Sequence, residues 1–177
     1  MISRISSFAG PISYIPSIVL SAGLYRTTYS GYFNDVPSFF ATATPTANLV
    51  QTTVIEEPAT DDGSSFSIQW LGYFVPTTTE TYTFFLSSDD ASFMWIGANA
   101  VSGFTTANAT VNNAGLHGNV ETSGSISLIA NTSYPIRIQY GEQNGGDVLT
   151  FNHSTATITK TTNVTGKVFY NLVTKGF

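Results

Sequence analysis

Apolar and polar residues alternate along most of the chain with a period of two. Phe66, Ile68, Trp70 and Phe74 are interleaved with Ser67, Gln69 and Tyr73, which predicts a strand with one buried face. Tyr82, Phe84 and Leu86 repeat the pattern after the turn Pro76-Thr77-Thr78-Thr79-Glu80, and Phe93-Met94-Trp95-Ile96 follows Asp89-Asp90. Further strands are predicted around Ile126 and Leu128, from Ile136 to Tyr140, around Leu149 and Phe151, and from Val168 to Val173. Turn formers separate them at Asn112-Asn113-Ala114-Gly115, Ala130-Asn131-Thr132-Ser133 and Asn144-Gly145-Gly146-Asp147. The Thr/Ala-rich segment Ala41–Val50 and the acidic segment Glu56–Gly63 read as loops. No segment carries a 3.6-residue apolar stripe behind an N-cap. Short strands with one polar face each predict an all-β fold, an antiparallel β-sandwich or barrel.

The composition narrows what such a sandwich does. Charged residues make up only 10% of the 177 positions while aromatics reach 14%, enough apolar side chain to bury a core. Six basic residues are scattered against eleven acidic ones, for a net charge of −5. Nucleic-acid backbones demand clustered Lys and Arg, so that partner class is excluded. The chain has no cysteine, which removes disulfides, thiolate metal sites and cysteine nucleophiles. No apolar run reaches the roughly 18 residues of a membrane span. The first 23 residues share an Arg4, an apolar middle and a small-residue end with signal peptides. Pro11 and Pro16 interrupt that middle, so a retained arm is expected. The expected organisation is an extended arm over 1–22, a sandwich over 23–159 and a C-terminal strand or arm over 160–177. The arms suit contact with a neighbouring subunit, as a homo-oligomer or among other subunits of a particle; termini that are frayed or folded back are the alternative.

In so charge-poor a chain, the adjacent carboxylates of Asp89-Asp90 stand out. Two such groups repel by about 1–4 kcal/mol at 4 Å, depending on the effective dielectric. A hard cation between them turns repulsion into attraction, and Ca²⁺, which takes 6–8 oxygen ligands, suits a loop. Other loops must then contribute, and Glu142-Gln143-Asn144-Gly145-Gly146-Asp147 offers a carboxylate, two amides and a flexible turn. On these residues alone a solvated acidic turn and a cation site both stand. Asp61-Asp62-Gly63 reads as the solvated kind. Trp70 and Trp95 are in phase with buried positions and are assigned to the core. Tyr32, Phe33, Phe104 and His117 fall in predicted loops and are expected to be exposed, with Phe104 the preferred aromatic contact for a ligand. His117 and His153 are isolated and carry no expected metal or base role. No nucleophile elbow, phosphate loop or suitably spaced carboxylate pair is present, so no enzyme is expected. Sequons at Asn108, Asn131, Asn152 and Asn163 are at chance frequency in a chain this rich in Asn, Ser and Thr.

The run Ser67-Ile68-Gln69-Trp70-Leu71-Gly72-Tyr73-Phe74, followed by Glu80 to Gly97 with its Tyr82-Thr83-Phe84, Ser87-Ser88-Asp89-Asp90 and Trp95-Ile96-Gly97, resembles the PA14 family. Gly23-Leu24-Tyr25, Tyr29-Ser30-Gly31 and Tyr134 to Glu142 with Gly145-Gly146 extend the resemblance over about residues 23–153 in the family's order. It implies a β-sandwich of the kind found in toxins, glycosidase accessory domains and flocculin adhesins. In the sugar-binding members a cis-linked Asp pair holds Ca²⁺, and the ion contacts ligand hydroxyls. Carried over, the pair is Asp89 and Asp90, with Gln143 or Asn144 completing the metal site and Asp147 as a further contact. The resemblance thus implies ligand binding by Asp89, Asp90 and Asn144, with Phe104 beside them. One departure is Ala91-Ser92 where many members have Gly after the pair, which removes no ligand. The expected function is a calcium-dependent carbohydrate-binding adhesion module on a virion or cell surface, with glycans as partners. The alternative is a structural part of a bacteriophage virion, such as a decoration, neck or tail protein.

Overall fold

Strict alternation buries one face of each strand, and two such faces closing on one another make the core. The computed structural model describes residues 19–57 and 63–177. The expected arm up to residue 18 and the Asp61-Asp62 pair lie outside the described residues. In chain order the elements are β1 (Leu20–Ala22), β2 (Leu24–Ser30), α1 (Phe39–Thr42), β3 (Pro45–Gln51), β4 (Glu56–Glu57), β5 (Phe66–Phe74), β6 (Glu80–Asp89) and β7 (Ser92–Ile96), then α2 (Ala98–Val101), β8 (Val111–Asn113), β9 (Val120–Leu128), β10 (Tyr134–Glu142), β11 (Val148–Ser154) and β12 (Val168–Asn171).

The strands form two antiparallel sheets, an all-β sandwich as predicted. The large one runs β1-β12-β5-β10-β7-β8, with β2 also on β5 and β3 on β2; the small one runs β4-β11-β6-β9. Between them lie Trp70, Phe74, Tyr82, Phe84, Ile138 and Phe151, all fully buried. A second apolar cluster covers the outer face of the large sheet, where Tyr29, Phe33, Phe40, Phe93 and Trp95 pack under the loop after β2 and the segment around α2. This explains why β7 is buried on both faces rather than on one.

Three expectations are revised. Ala41–Val50 is not a loop: it holds the end of α1 and most of β3, which pairs with β2 from Leu24↔Gln51 to Tyr29↔Pro45. No residue of β3 is buried, so backbone pairing alone makes the strand and no apolar alternation announces it. Phe33 is not exposed but packed at 1% exposure edge-on to Phe93, 5.9 Å between ring centroids. The C-terminal segment does not stand apart, because β12 pairs with β5 at Val168↔Phe74, Val164 and Val168 join the core, and β1 pairs with β12. Among the described residues no helix is long and apolar enough to cross a membrane.

Candidate functional site

The chain passes from the small sheet to the large one between β6 and β7, and back again between β10 and β11. Because β10 lies beside β7 and β11 beside β6, the two crossings stand side by side. Tyr140 faces Ser92 in one sheet and Val148 faces Asp89 in the other. Asp89 and Asp90 occupy the first crossing, joined by a cis peptide bond. The second crossing begins at Glu142 and carries Gln143, Asn144 and Asp147.

The register brings carboxylate oxygens of Asp89, Asp90 and Glu142 within 4.8 Å of one another. Asp90 is 5% exposed and Glu142 1%. Asp90 is held by backbone donors from two loops: the His117 amide donates to Oδ1 at 2.8 Å and the Gln143 amide to Oδ2 at 3.1 Å. The Tyr140 hydroxyl donates to the Asp89 carbonyl at 2.6 Å, and the Gly141 amide to the Ala91 carbonyl at 3.0 Å, so the acidic turn is fastened to β10. Glu142 differs. Both of its oxygens are buried, and the one donor facing them is the Asp90 backbone amide, too poorly placed for a full hydrogen bond. Burial, then the charges of Asp90 and Asp89, push its carboxyl up to about 7.

A third loop completes the surroundings. The Tyr32 hydroxyl donates to Asp35 Oδ1 at 2.9 Å, and the Gly115 amide donates to Asp35 Oδ2 at 2.8 Å. Burial and then its bond to Asp35 raise the Tyr32 phenol, with the charges of Asp90 and Glu142 adding to the effect. Gly141 has no room for a side chain, since a Cβ there would overlap the Phe33 and Tyr32 rings. That close approach seats the loop carrying Asp35 against the end of β10.

Of the residues singled out from the sequence, Asp89 and Asp90 lie together. Gln143 touches them through its backbone amide, Asn144 is exposed in the adjoining loop, and Asp147 is 2% exposed and close enough to add its charge to Glu142. Phe104 is seated elsewhere. Its ring lies 5.7 Å from that of Trp95 and 4.0 Å from the Arg137 guanidinium. Trp95 is five residues beyond Asp90 in extended chain, roughly 16 Å away. Glu142 and Asp35 were missed as site residues. Glu142 was visible as an acid in the late loop, but its position depends on the pairing of β10 with β7. His117 enters through its backbone alone, and His153 is a core residue, fully buried against Tyr82 and Phe151.

A buried carboxylate so poorly supplied with donors, facing two more carboxylates, is costly unless a cation joins them. The donor set is all oxygen, which suits a hard divalent ion such as Ca²⁺. The residues present therefore fit the metal that the fold family implies.

Comparison with solved structures shows that the chain shares its fold with PA14 domains. The epithelial adhesin 6 A domain of Candida glabrata, solved with Galb1-3GlcNAc, superimposes with a TM-score of 0.66 at 17% identity, over 88% of this chain and 89% of that one. The PA14 domain of the MpAFP antifreeze protein gives 0.68 at 14% identity, covering 95% and 96%. The PA14 sugar-binding domain of an RTX adhesin gives 0.65 at 15% identity, covering 79% and 93%. A comparison with curated protein sequences gives no match. The sequence pattern of the GLEYA domain matches residues 66–155, from the start of β5 through β11, so that more than half of the chain, both crossings included, identifies this protein as a member of the GLEYA domain family.

Proposed function

We propose that this domain is a non-enzymatic glycan-binding adhesion module whose ligand is held through Ca²⁺ at the Asp89, Asp90 and Glu142 cluster. The observation that carries the reading is Glu142, buried with no side-chain donor and no more than a poorly placed Asp90 backbone amide, within 4.8 Å of two other carboxylates. Asp89 and Asp90 would hold the ion together with Glu142, and the late loop with Gln143, Asn144 and Asp147 would close the coordination. Bound there, the ion supplies an electrostatic anchor for vicinal hydroxyls. The chain's own part is orientation: the amides of His117 and Gln143 fix Asp90, and the Tyr140 hydroxyl fixes the turn. The complexes of the C. glabrata adhesin domains with galactose-containing disaccharides support glycans as the ligand class.

Binding rather than catalysis suits the geometry. Glycosidases separate their carboxyl groups by about 5–5.5 or 6.5–9.5 Å across the sugar, whereas these three crowd one point and Asp90 is engaged by backbone amides at both oxygens. A single ion-anchored sugar contact is weak, so useful adhesion needs many copies displayed at once, on a cell or virion surface. Calorimetry with Ca²⁺ before and after EDTA, followed by a glycan array in calcium, tests the reading. Calcium uptake by wild type and its loss in Asp89→Ala/Asp90→Ala is the expected result. Unchanged uptake and unchanged thermal stability in the double variant would sink it.

A further inference from the structure

Asn144-Gly145 is the one Asn-Gly dipeptide in the 177 residues, and it stands in the loop between β10 and β11. Both residues are exposed. Among the described residues no hydrogen bond holds the Asn144 side chain or the Gly145 amide. Gly145 has a φ of +103°, and a Cβ placed there would meet nothing within 4 Å, so no neighbouring atom walls off its nitrogen. Other asparagines are tied. Asn108 donates to the Gly103 carbonyl and accepts from Trp95, and Asn113 donates to Ser88 and to the Val120 carbonyl.

We propose that Asn144 is a self-modifying site, at which deamidation writes a further carboxylate into the calcium loop. The Gly145 amide nitrogen loses its proton to water or hydroxide and attacks Asn144 Cγ. A C–N bond forms, the Cγ–Nδ2 bond breaks, and Nδ2 leaves as ammonia with a proton returned from solvent. Water then opens the succinimide at either carbonyl, its hydroxyl going to carbon and its hydrogen to nitrogen, which gives aspartate or isoaspartate. The net exchange is one water for one ammonia, with no oxidant or reductant.

The consequence for the ion rests on the proposed calcium reading. The new carboxylate stands at most about 7 Å of chain from Glu142, in the loop proposed to close the coordination. Calcium affinity is tuned by the number of charged ligands, so the converted domain holds the ion more tightly. A bound ion engages the same loop and slows the conversion. The modification therefore accumulates in the metal-free domain.

Incubating wild type at pH 8 in EDTA or in millimolar calcium, followed by peptide mass mapping, tests the site. Asn144 is expected to convert ahead of every other asparagine, and several-fold more slowly in calcium. Calorimetry with Ca²⁺ then compares fresh protein, aged protein and Asn144→Asp, which supplies the aspartyl product directly. Aged protein and variant are expected to bind about three- to tenfold tighter, the size of one added charge near a cation in largely aqueous surroundings. Conversion no faster at Asn144 than at exposed Asn131 would overturn the modification site. Equal rates with and without calcium overturn the protection by the ion, and unchanged or weaker calcium binding by both aged protein and variant overturns the tightening. Absence of calcium uptake in every sample overturns the calcium reading and both of its consequences here, while the mass map still decides the modification.

Discussion

Removing the negative charge of Glu142 should stabilise the metal-free domain, which is the reverse of what removing a buried side chain usually does. Glu142 is 1% exposed, its oxygens have no well-placed donor, and two other carboxylates lie within 4.8 Å. Two unit charges about 5 Å apart repel by about 3 kcal/mol at an effective dielectric near 20. The titration points to the same size: holding Glu142 at about 7 rather than 4.5 corresponds to about 3 kcal/mol against its ionised form. Because the folded value lies above the unfolded one, this group stabilises fully below pH 4.5, and that stability is lost as pH rises through 7.

Glu142→Gln keeps the shape, and its amide can donate to the facing carboxylates. In EDTA at pH 8 the variant should therefore be about 2–3 kcal/mol more stable than wild type, equivalent to roughly 5–10 °C in Tm for a chain of this size. At pH 5 the difference should shrink to under about 1 kcal/mol, since wild-type Glu142 is then neutral in the folded state and only the ionisation of the unfolded chain still counts against it. Saturating calcium should reverse the order, because the ion compensates the wild-type carboxylate and has less to hold in the variant. Urea unfolding followed by the emission of buried Trp70 and Trp95 reads all three conditions. A variant no more stable than wild type in EDTA at pH 8, or a difference as large at pH 5 as at pH 8, would refute the reasoning.

Other expectations follow from the packing. His153 is fully buried with neither ring nitrogen bonded, and burial holds it down to about 4. The unfolded chain therefore takes up the proton first, and about 3 kcal/mol of stability should be lost as pH falls from 6.5 to 4. His153→Phe should abolish that part of the slope, read as the wild-type-minus-variant difference in urea midpoints across the window. Gly141→Ala should cost about 1–3 kcal/mol through overlap with Phe33 and Tyr32, and should weaken calcium uptake in calorimetry because the Asp35 loop shifts; an unchanged enthalpy and affinity would count against the loop's role. Phe104→Ala should lower the melting temperature, through lost contact with Trp95 and Arg137, without altering the glycan-array profile.

The sandwich was legible wherever one strand face is buried, as in β6, where Tyr82, Phe84, Leu86 and Ser88 face inward between less buried neighbours. It was illegible in β3, which buries neither face and exists through its ladder with β2. Phe33 was misread for a related reason. Its loop position suggested exposure, and only the missing side chain at Gly141, a hundred residues later, opens the space it fills. The Asp89-Asp90 turn was visible because so few charges surround it in sequence. The third carboxylate was not, since Glu142 meets that turn through pairing between strands separated by some forty residues of chain, a contact that no local pattern encodes.

The placement of the cluster also explains why a chain so poor in charge can hold this much of it at one point. Both crossings between the sheets lie at the same end, so the carboxylates are carried by turns whose backbones are fixed by long, well-packed ladders: β6 with β9 and β11, β10 with β5 and β7. Repulsion of about 3 kcal/mol is a large share of the 5–15 kcal/mol by which a domain is usually stable, and a floppy loop would relieve it by moving apart. Here the amides of His117 and Gln143 and the hydroxyl of Tyr140 hold the turn in place. The site is therefore preorganised, and a cation that enters finds its ligands already assembled. Its binding energy then goes into affinity and into the stability of the fold, which should rise with the logarithm of calcium concentration once that concentration exceeds Kd. On the proposed reading, adhesion and folding are thereby coupled to one ion.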